Sequence, residues 1–233
     1  MTLAKGMQFI FIMLAIALMG CFCSIRPPLQ ILQLADSVAS KKEFVEGLED
    51  KTIALVSVNS EGKIAAYCSG VWVGINRILT AAHCVESKDI TLYMVKSDIE
   101  KDIIRLAIKV KVDEKSDLAL LMTDLKSAPP HSDALISKEK PYAGLKIYIE
   151  GHTTGLWWTY AEGVVSSNIR SFFDQSRTAT IQISAPAWFG NSGGGAFNDN
   201  GELVGLCSWL SVKGPNLTFF VPNDVLRDFV KKD

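Results

Sequence analysis

The chain has 233 residues, 48% of them hydrophobic, and a formal net charge of −1 at pH 7. This length suffices for one large domain or for two small ones that share a site. The charges are almost balanced, and no basic run with interleaved aromatic residues occurs. The composition therefore gives no reason to expect a nucleic-acid partner.

The first 25 residues form a hydrophobic leader. The stretch Met7 to Ile25 follows Lys5 and contains no charged residue. It is either a cleaved signal peptide or a retained membrane anchor, since its 19 residues are just enough to span a bilayer. Residues 18–21 (Leu-Met-Gly-Cys) also resemble a bacterial lipobox, although Met19 fits that motif imperfectly, which makes Cys21 a candidate for lipidation. All three alternatives predict export, with the rest of the chain in the periplasm, secreted or held at the membrane.

After the leader, residues 26–51 are predicted to form a partly helical stem because apolar residues recur there at helical spacing. From Thr52 onward the pattern changes to short β-rich runs separated by turns, with none of the long helices that βαβ units need. An all-β fold of barrel or sandwich type is therefore predicted. The predicted strands include 53–58, 70–74, 145–149, 181–184 and 202–209. A short closing helix is predicted at 224–230. A predicted linker at 128–133 separates a first barrel or half (52–127) from a second (134–233).

Three short segments carry residues suited to nucleophilic chemistry. They are Leu79–Cys84 (LTAAHC), Ser116–Leu121 (SDLALL) and Gly190–Gly194 (GNSGG), and they contribute His83, Asp117 and Ser192. A serine hydroxyl is a weak nucleophile and needs a nearby base, a role that suits histidine because its pKa lies near neutrality. A buried carboxylate then holds the histidine ring in the correct tautomer.

The glycines around Ser192 suit an oxyanion hole. Such a hole aims backbone N–H groups at the developing negative charge, which requires a tight turn free of bulky side chains. The N–H groups of Gly190 and Ser192 are the predicted donors.

Other residues compete for these roles. Asp102 and Asp113 flank an apolar run and Asp124 follows one, whereas Asp117 alone leads into one. Of the remaining histidines, His131 and His152 are interpreted as structural.

Taken together, the Thr-Ala-Ala-His-Cys and Gly-Asn-Ser-Gly-Gly motifs resemble those of the chymotrypsin-like (trypsin-like) serine proteases over about residues 52–230. The order His, Asp, Ser is also that of the family. The Phe-Val-Pro-Asn run at 220–223 is similar to the closing segment of the bacterial high-temperature-requirement branch, although no PDZ domain is expected here. The resemblance implies two six-stranded antiparallel β-barrels and a serine endopeptidase that acts on proteins or peptides without a metal or cofactor.

The cysteines outside the leader are Cys68, Cys84 and Cys207, which amount to one pair and one spare in an oxidising compartment. Because Cys68 and Cys84 match the family's disulfide beside the histidine, the resemblance implies a bridge between them. Two free buried thiols are the alternative. Cys207 is predicted to be a small buried residue.

One departure from the family concerns activation. Trypsin-type zymogens pair a freed N-terminus with an aspartate just before the serine, but Asn191 occupies that position. The hypothesis is that the oxyanion turn of this chain is organised without a new N-terminus.

A second departure concerns specificity. By alignment with the family, Pro186 lies at the base of the primary pocket, and Ser208, Trp209 and Leu210 form the edge strand that pairs with substrate backbone. Leu210 replaces a family glycine and is expected to narrow the pocket, which predicts small aliphatic P1 residues such as Ala or Val. Trp188 and Phe189 are either core residues or obstacles at the pocket entrance.

Two other functions share features with this sequence. An α/β-hydrolase esterase shares the Gly-x-Ser-x-Gly pattern, but it needs a histidine after the serine and none follows Ser192. The second rival is a catalytically silent, protease-like scaffold that binds peptides or proteins, and fold alone does not separate it from an enzyme.

Overall fold

The computed structural model describes residues 28–86, 90–96, 104–123, 133–170, 180–212 and 214–231. The leader, Cys21, Asp102, Asp124 and His131 lie outside these residues. Within the described residues, no helix is long and apolar enough to cross a membrane. The chain divides into two compact units, residues 1–42 and 43–233.

The strands of the described residues belong entirely to the second unit. In chain order they are β1 (Thr52–Asn59), β2 (Ile64–Gly74), β3 (Arg77–Thr80), β4 (Ile90–Lys96), β5 (Ile104–Asp113), β6 (Leu118–Thr123), β7 (Lys146–Thr153), β8 (Leu156–Arg170), β9 (Thr180–Ser184), β10 (Gly195–Phe197), β11 (Leu203–Leu210) and β12 (Thr218–Pro222). A single turn of 3₁₀ helix, Ala82–Cys84, follows β3.

These strands close into two antiparallel barrels. Barrel one has the order β1-β2-β3-β6-β5-β4, and barrel two has the order β10-β11-β12-β9-β8-β7. The predicted all-β fold of two six-stranded antiparallel barrels is therefore confirmed. Closure removes the exposed strand edges that an open sheet would present.

Each barrel is filled by the side chains that alternation along its strands directs inward. Leu55, Trp72 and Ile78 belong to the core of barrel one, and Ile149, Ile183 and Phe220 to that of barrel two. A third apolar cluster draws residues from both barrels, among them Leu79 and Phe197. The barrels therefore pack against each other through this cluster, and this packing holds in place the chain segments that end at the interface.

Two helices flank the strands in sequence. Helix α1 (Pro28–Glu49) covers most of the predicted stem, and its last turns belong to the second unit. Leu48 is fully buried there, and the Phe44 ring lies edge-on to Tyr148 with centroids 4.7 Å apart. Helix α2 (Asn223–Lys231) matches the predicted closing helix and buries Leu226 and Phe229.

Candidate active site

The His83 ring and the Asp117 carboxylate form a pair within barrel one. His83 lies on the 3₁₀ turn after β3, and Asp117 ends the turn before β6. The ring Nδ1 lies 2.9 Å from Asp117 Oδ1 and 3.0 Å from Oδ2, and the His83 main-chain N–H donates to Oδ1 at 3.0 Å. Because Nδ1 faces the carboxylate, the pair favours the tautomer that leaves Nε2 free to accept a proton.

Asp117 is held in an unusual backbone conformation in a buried position. Its φ is +54°, a left-handed value that Asp tolerates better than most residues. Its Oδ2 also accepts a hydrogen bond from the Ser208 hydroxyl. Burial pushes the pKa of Asp117 upward, but the hydrogen bonds and charge of His83, with the bond from Ser208, outweigh burial and hold the pKa below its ordinary value. Asp117 therefore stays ionised beside the ring.

Ser192 lies on a tight turn that requires glycine at two positions. Gly190 has φ +100° and Gly193 has φ +82°. A Cβ atom at Gly190 would lie 2.2 Å from the His152 carbonyl oxygen, and one at Gly193 would lie 2.2 Å from the Ser69 carbonyl oxygen. Any side chain at either position would displace the turn that presents the serine.

The predicted oxyanion donors are the main-chain N–H groups of Gly190 and Ser192. Among the described residues, neither the Gly190 N–H nor the Ser192 N–H has a hydrogen-bond partner. The Ser192 hydroxyl likewise forms no hydrogen bond to His83 in the part of the chain that the structure describes. In ligand-free enzymes such contacts are often long and tighten only when substrate binds.

A disulfide joins Cys68 on β2 to Cys84 on the histidine turn. The bridge that the resemblance implied is thus present, and the alternative of two free thiols is wrong. Cys68, His83 and Cys84 place a nitrogen and two sulfurs within 4.8 Å of one another. Because the sulfurs are bonded to each other, they are not thiolate ligands for a metal. Cys207 is free and buried as expected, and burial followed by the charge of Asp117 raises its pKa to about 12.

A cavity of about 510 Å³ lies beside the serine turn. Pro186 and Leu210 line it, but Ser208 and Trp209 do not. Ser208 instead contacts Asp117, and the Trp209 ring stacks on Phe219 with centroids 3.8 Å apart. The full lining is Thr153, Thr159, Tyr160, Ala161, Glu162, Pro186, Ala187, Trp188, Leu210, Ser211, Gly214, Pro215, Asn216, Leu217 and Thr218.

Trp188 and Phe189 are not core residues, since 48% and 61% of their surfaces are exposed. Their rings lie edge-to-face with centroids 5.3 Å apart, directly before the oxyanion turn. His152, in contrast, is almost fully buried and its Nδ1 accepts the Trp158 N–H at 2.9 Å. Burial lowers the pKa of His152 to about 3, so this histidine is neutral and structural.

Sequence reasoning missed three polar residues near the site: Ser69, Thr153 and Glu162. The Ser69 hydroxyl contacts the oxyanion turn, and the Thr153 hydroxyl donates to Asn191 Oδ1 at 3.0 Å. Glu162 lines the cavity, with its carboxylate held by Lys146 at 3.2 Å and by the Tyr160 hydroxyl at 2.7 Å. The position of Ser69 directly after Cys68 was the one available signal, whereas nothing local marked the other two.

The two barrels, with an ordered His83–Asp117 pair in one and a glycine-bounded serine turn in the other, define the class of chymotrypsin-like folds. Residues 68–206, more than half of the chain, match the family described as the trypsin-like peptidase domain. The chain belongs to this family.

The relatives and structural neighbours agree with that assignment. The chain is 32% identical over 152 residues to a DegP-like periplasmic serine endoprotease of Pseudomonas putida, covering 60% of this chain and 31% of the relative. It is 25% identical over 214 residues to the serine endoprotease DegS of Haemophilus influenzae, covering 87% and 61% respectively. It therefore spans less than two thirds of either relative. A crystal structure of the serine endoprotease from Yersinia pestis shares the fold, with a TM-score of 0.69, 22% identity, and coverage of 82% of this chain and 65% of that one.

Proposed function

We propose that this protein is an exported serine endopeptidase that cleaves peptide bonds through an acyl-enzyme at Ser192. The observation that carries the proposal is the His83–Asp117 pair, because an ordered and ionised carboxylate beside the ring is what makes a neutral histidine a useful base. Proteins or peptides are the proposed substrates. The periplasm is the proposed compartment, in line with the DegP-like relatives that are named periplasmic.

The proposed mechanism has two halves. His83 Nε2 takes the hydroxyl proton as Ser192 Oγ bonds to the substrate carbonyl carbon, and the carbonyl π electrons move to the oxygen. The N–H groups of Gly190 and Ser192 donate to that oxyanion. Collapse of the intermediate expels the amine, which takes its proton from His83, and leaves an ester that water hydrolyses with His83 again acting as base.

The oxyanion turn is proposed to be competent without a freed N-terminus. Where a trypsin-type zymogen needs a buried ion pair, Asn191 accepts a neutral hydrogen bond from Thr153. The main-chain N–H of Thr154 also donates to the Phe189 carbonyl at 2.7 Å. Thr153 is the last residue of strand β7 and Thr154 follows it directly, so both partners are present before any cleavage.

For specificity, we keep small aliphatic P1 residues as the proposal. Pro186 offers no charge, while Leu210 and Trp188 both line the cavity and reduce the space open to a side chain. The carboxylate of Glu162 already has Lys146 and Tyr160 as partners. A peptide library should therefore favour Ala or Val, and Leu210→Gly should shift the preference toward larger apolar residues. Strong selectivity for Arg would contradict this proposal and direct attention to Glu162.

The function is tested by labelling the full chain with a fluorophosphonate probe beside Ser192→Ala and His83→Ala. Labelling of the wild type alone would establish an activated serine. If the folded wild type stays unlabelled and leaves a panel of unfolded protein substrates intact, the endopeptidase is excluded and the scaffold alternative takes its place.

A further inference from the structure

Ser69 connects the oxyanion turn to barrel one. It lies on β2, directly after Cys68, and is fully buried. Its amide N–H donates to the Ser192 carbonyl at 2.7 Å, and its hydroxyl donates to the Gly190 carbonyl at 2.8 Å. One barrel-one residue therefore holds two carbonyl groups of the turn that carries the nucleophile.

Ser69 is itself held in place on both sides. Its hydroxyl oxygen accepts the His152 N–H of β7 at 3.0 Å, and its own carbonyl accepts the Thr80 hydroxyl of β3 at 2.7 Å. A hydroxyl has one proton to donate. Because the His152 N–H occupies a lone pair of that oxygen, the proton is left for the Gly190 carbonyl, and the direction of the bond is fixed.

The consequence for the oxyanion hole follows from peptide planarity. In a trans peptide the C=O of one residue and the N–H of the next point in opposite directions. Thr154 holds the Phe189 carbonyl on one side, so the Gly190 N–H faces the other. Ser69 holds the carbonyl at the far end of Gly190. With both flanking peptides fastened, Gly190 keeps φ at +100° although a glycine could otherwise adopt many conformations.

We infer that Ser69 is a positioning residue for this site, because its hydroxyl fixes the peptide between Gly190 and Asn191 and with it the φ of Gly190, so that the oxyanion donors are aimed before substrate arrives. It touches neither the substrate nor the reacting atoms and acts through Gly190. Donors that are already oriented avoid reorganisation during the reaction. The inference rests on the proposed function, since an aimed donor matters to the rate only if a peptide carbonyl is attacked at Ser192.

The test compares Ser69→Ala with wild type and with Thr52→Val in the full chain. Thr52 is a matched control because it is also fully buried on barrel one and its hydroxyl also donates to a backbone carbonyl, that of Leu48, at 3.0 Å. Ser69→Ala is expected to lower kcat on the order of tenfold or more with KM little changed, since a misaimed donor weakens the transition state more than the bound substrate. Thr52→Val is expected to keep wild-type kcat.

Two inhibitors distinguish a loss of oxyanion-donor positioning from a general loss of rigidity at the site. A peptide aldehyde with Ala at P1 forms an oxyanion-like adduct with the serine, whereas the matching peptide acid only occupies the substrate groove. Ser69→Ala should weaken the aldehyde about tenfold and leave the acid within twofold. Equal losses for both inhibitors, or an unchanged kcat, would overturn the inference. If Ser69→Ala does not fold, the isosteric pair Ser69→Thr and Ser69→Val makes the same comparison, with the activity expected only in the variant that keeps the hydroxyl.

A readout independent of catalysis distinguishes failure of this inference from failure of the proposed function. In ¹⁵N-labelled protein, the amide resonance of Gly190 should move in Ser69→Ala and stay in place in Thr52→Val. If the wild type is inactive but the Gly190 resonance still moves in Ser69→Ala, the proposed peptidase is excluded and the role of Ser69 stands. If the wild type is active but the Gly190 resonance does not move in Ser69→Ala, only the role of Ser69 is excluded.

Discussion

The two barrels hold their parts of the site by different means. Barrel one fixes its pair through side chains, with a disulfide beside His83 and an ionised Asp117 that accepts both the ring and the main-chain N–H of His83. Barrel two presents Ser192 through its backbone, with two glycines in the left-handed region and main-chain bonds such as Gly193 N–H to the Cys207 carbonyl at 2.7 Å. Single substitutions at His83 or Asp117 should therefore remove the chemistry of barrel one, whereas in barrel two substitutions other than at Ser192 itself should mostly change how the turn is held.

The largest effect is expected from Asp117→Asn. An asparagine amide accepts hydrogen bonds on its oxygen but donates them from its nitrogen. The His83 ring is then no longer held in the tautomer that leaves Nε2 free, and kcat should fall about 10⁴-fold. Steady-state hydrolysis of a peptide substrate measures this. Asp113→Asn is the control, because Asp113 ends β5 directly before the same turn and its carboxylate accepts the Ser116 N–H at 3.2 Å rather than a bond from His83. A fall in kcat of less than tenfold in Asp117→Asn would show that the contribution of barrel one to catalysis does not depend on the His83–Asp117 pair.

Removing the disulfide should lower the free energy of unfolding more than removing the packing of a single buried cysteine side chain. Replacing Cys68 and Cys84 together by alanine removes a cross-link with a sequence separation of 16. The free energy of unfolding should fall by about 3 kcal/mol, because the unfolded chain regains the entropy of that loop. Urea unfolding measures the loss, with Cys207→Ala as the control for removing a buried sulfur. Equal midpoints for the two variants would contradict the view that the bridge secures barrel one.

Barrel two contains a buried carboxyl group, that of Glu150, near the serine turn. Glu150 on β7 pairs with Gly195 in the ladder and is fully buried, without a well-formed hydrogen bond to either carboxylate oxygen among the described residues. Burial, and secondly the charge of Glu49, raise its pKa from 4.5 to about 8, with only partial compensation by the Gly151 N–H. The folded protein thus keeps a proton there that the unfolded chain releases.

The proton that Glu150 retains makes the stability of the fold depend on pH. Below pH 4.5 both states hold the proton; between 4.5 and 8 only the folded state does, so stability falls as the pH rises through that window and then levels off. Glu150→Gln cannot ionise and should remove that slope. We expect equal stability at pH 4 and a gain of about 4 kcal/mol in the free energy of unfolding at pH 8, measured by urea unfolding. The exposed Glu139→Gln is the control. A variant that is no more stable than wild type at pH 8 would refute the buried-acid assignment.

The sequence was informative wherever a role is encoded in a contiguous segment. The histidine, aspartate and serine segments, the glycine turn and most strands are local patterns, and the disulfide followed from the family that those patterns resemble. Ser69 could not be found in this way. Its hydroxyl partners are 83 and 121 positions away in sequence, so they meet only because β2 and β7 bring the barrels together in one register.

The stem and the cavity show a second limit. Helical spacing between residues 26 and 51 predicts a helix, but spacing alone does not tell whether solvent or a core covers its apolar side. The structure buries Leu48 in the shared cluster. In the same way, alignment placed Trp209 at the pocket, whereas the wide face of its ring is covered by Phe219. Which side chain a strand directs into a cavity depends on twist and register, and the bulge between positions 207 and 209 shifts that register here.

The smallest effect is expected at Ser208, whose side chain joins the two barrels at the site. Its hydroxyl crosses from β11 of barrel two to the carboxylate of Asp117 in barrel one. Ser208→Ala should lower kcat about tenfold, because Asp117 keeps the histidine but loses one of the contacts that orient it. Ser208→Thr should recover most of the rate, and Ser137→Ala, which alters a buried serine remote from the site, should leave kcat unchanged.

Acid unfolding provides the second readout for Ser208. A carboxylate whose folded pKa is depressed adds stability above its ordinary pKa and loses it as the pH falls through the folded pKa. Removing the Ser208 donor raises the folded pKa of Asp117, so Ser208→Ala should begin to lose stability at a higher pH than wild type. If the acid transition of Ser208→Ala coincides with that of wild type while kcat still falls, Ser208 acts on substrate rather than on Asp117. The link between the barrels would then run through the peptide bound in the edge strand.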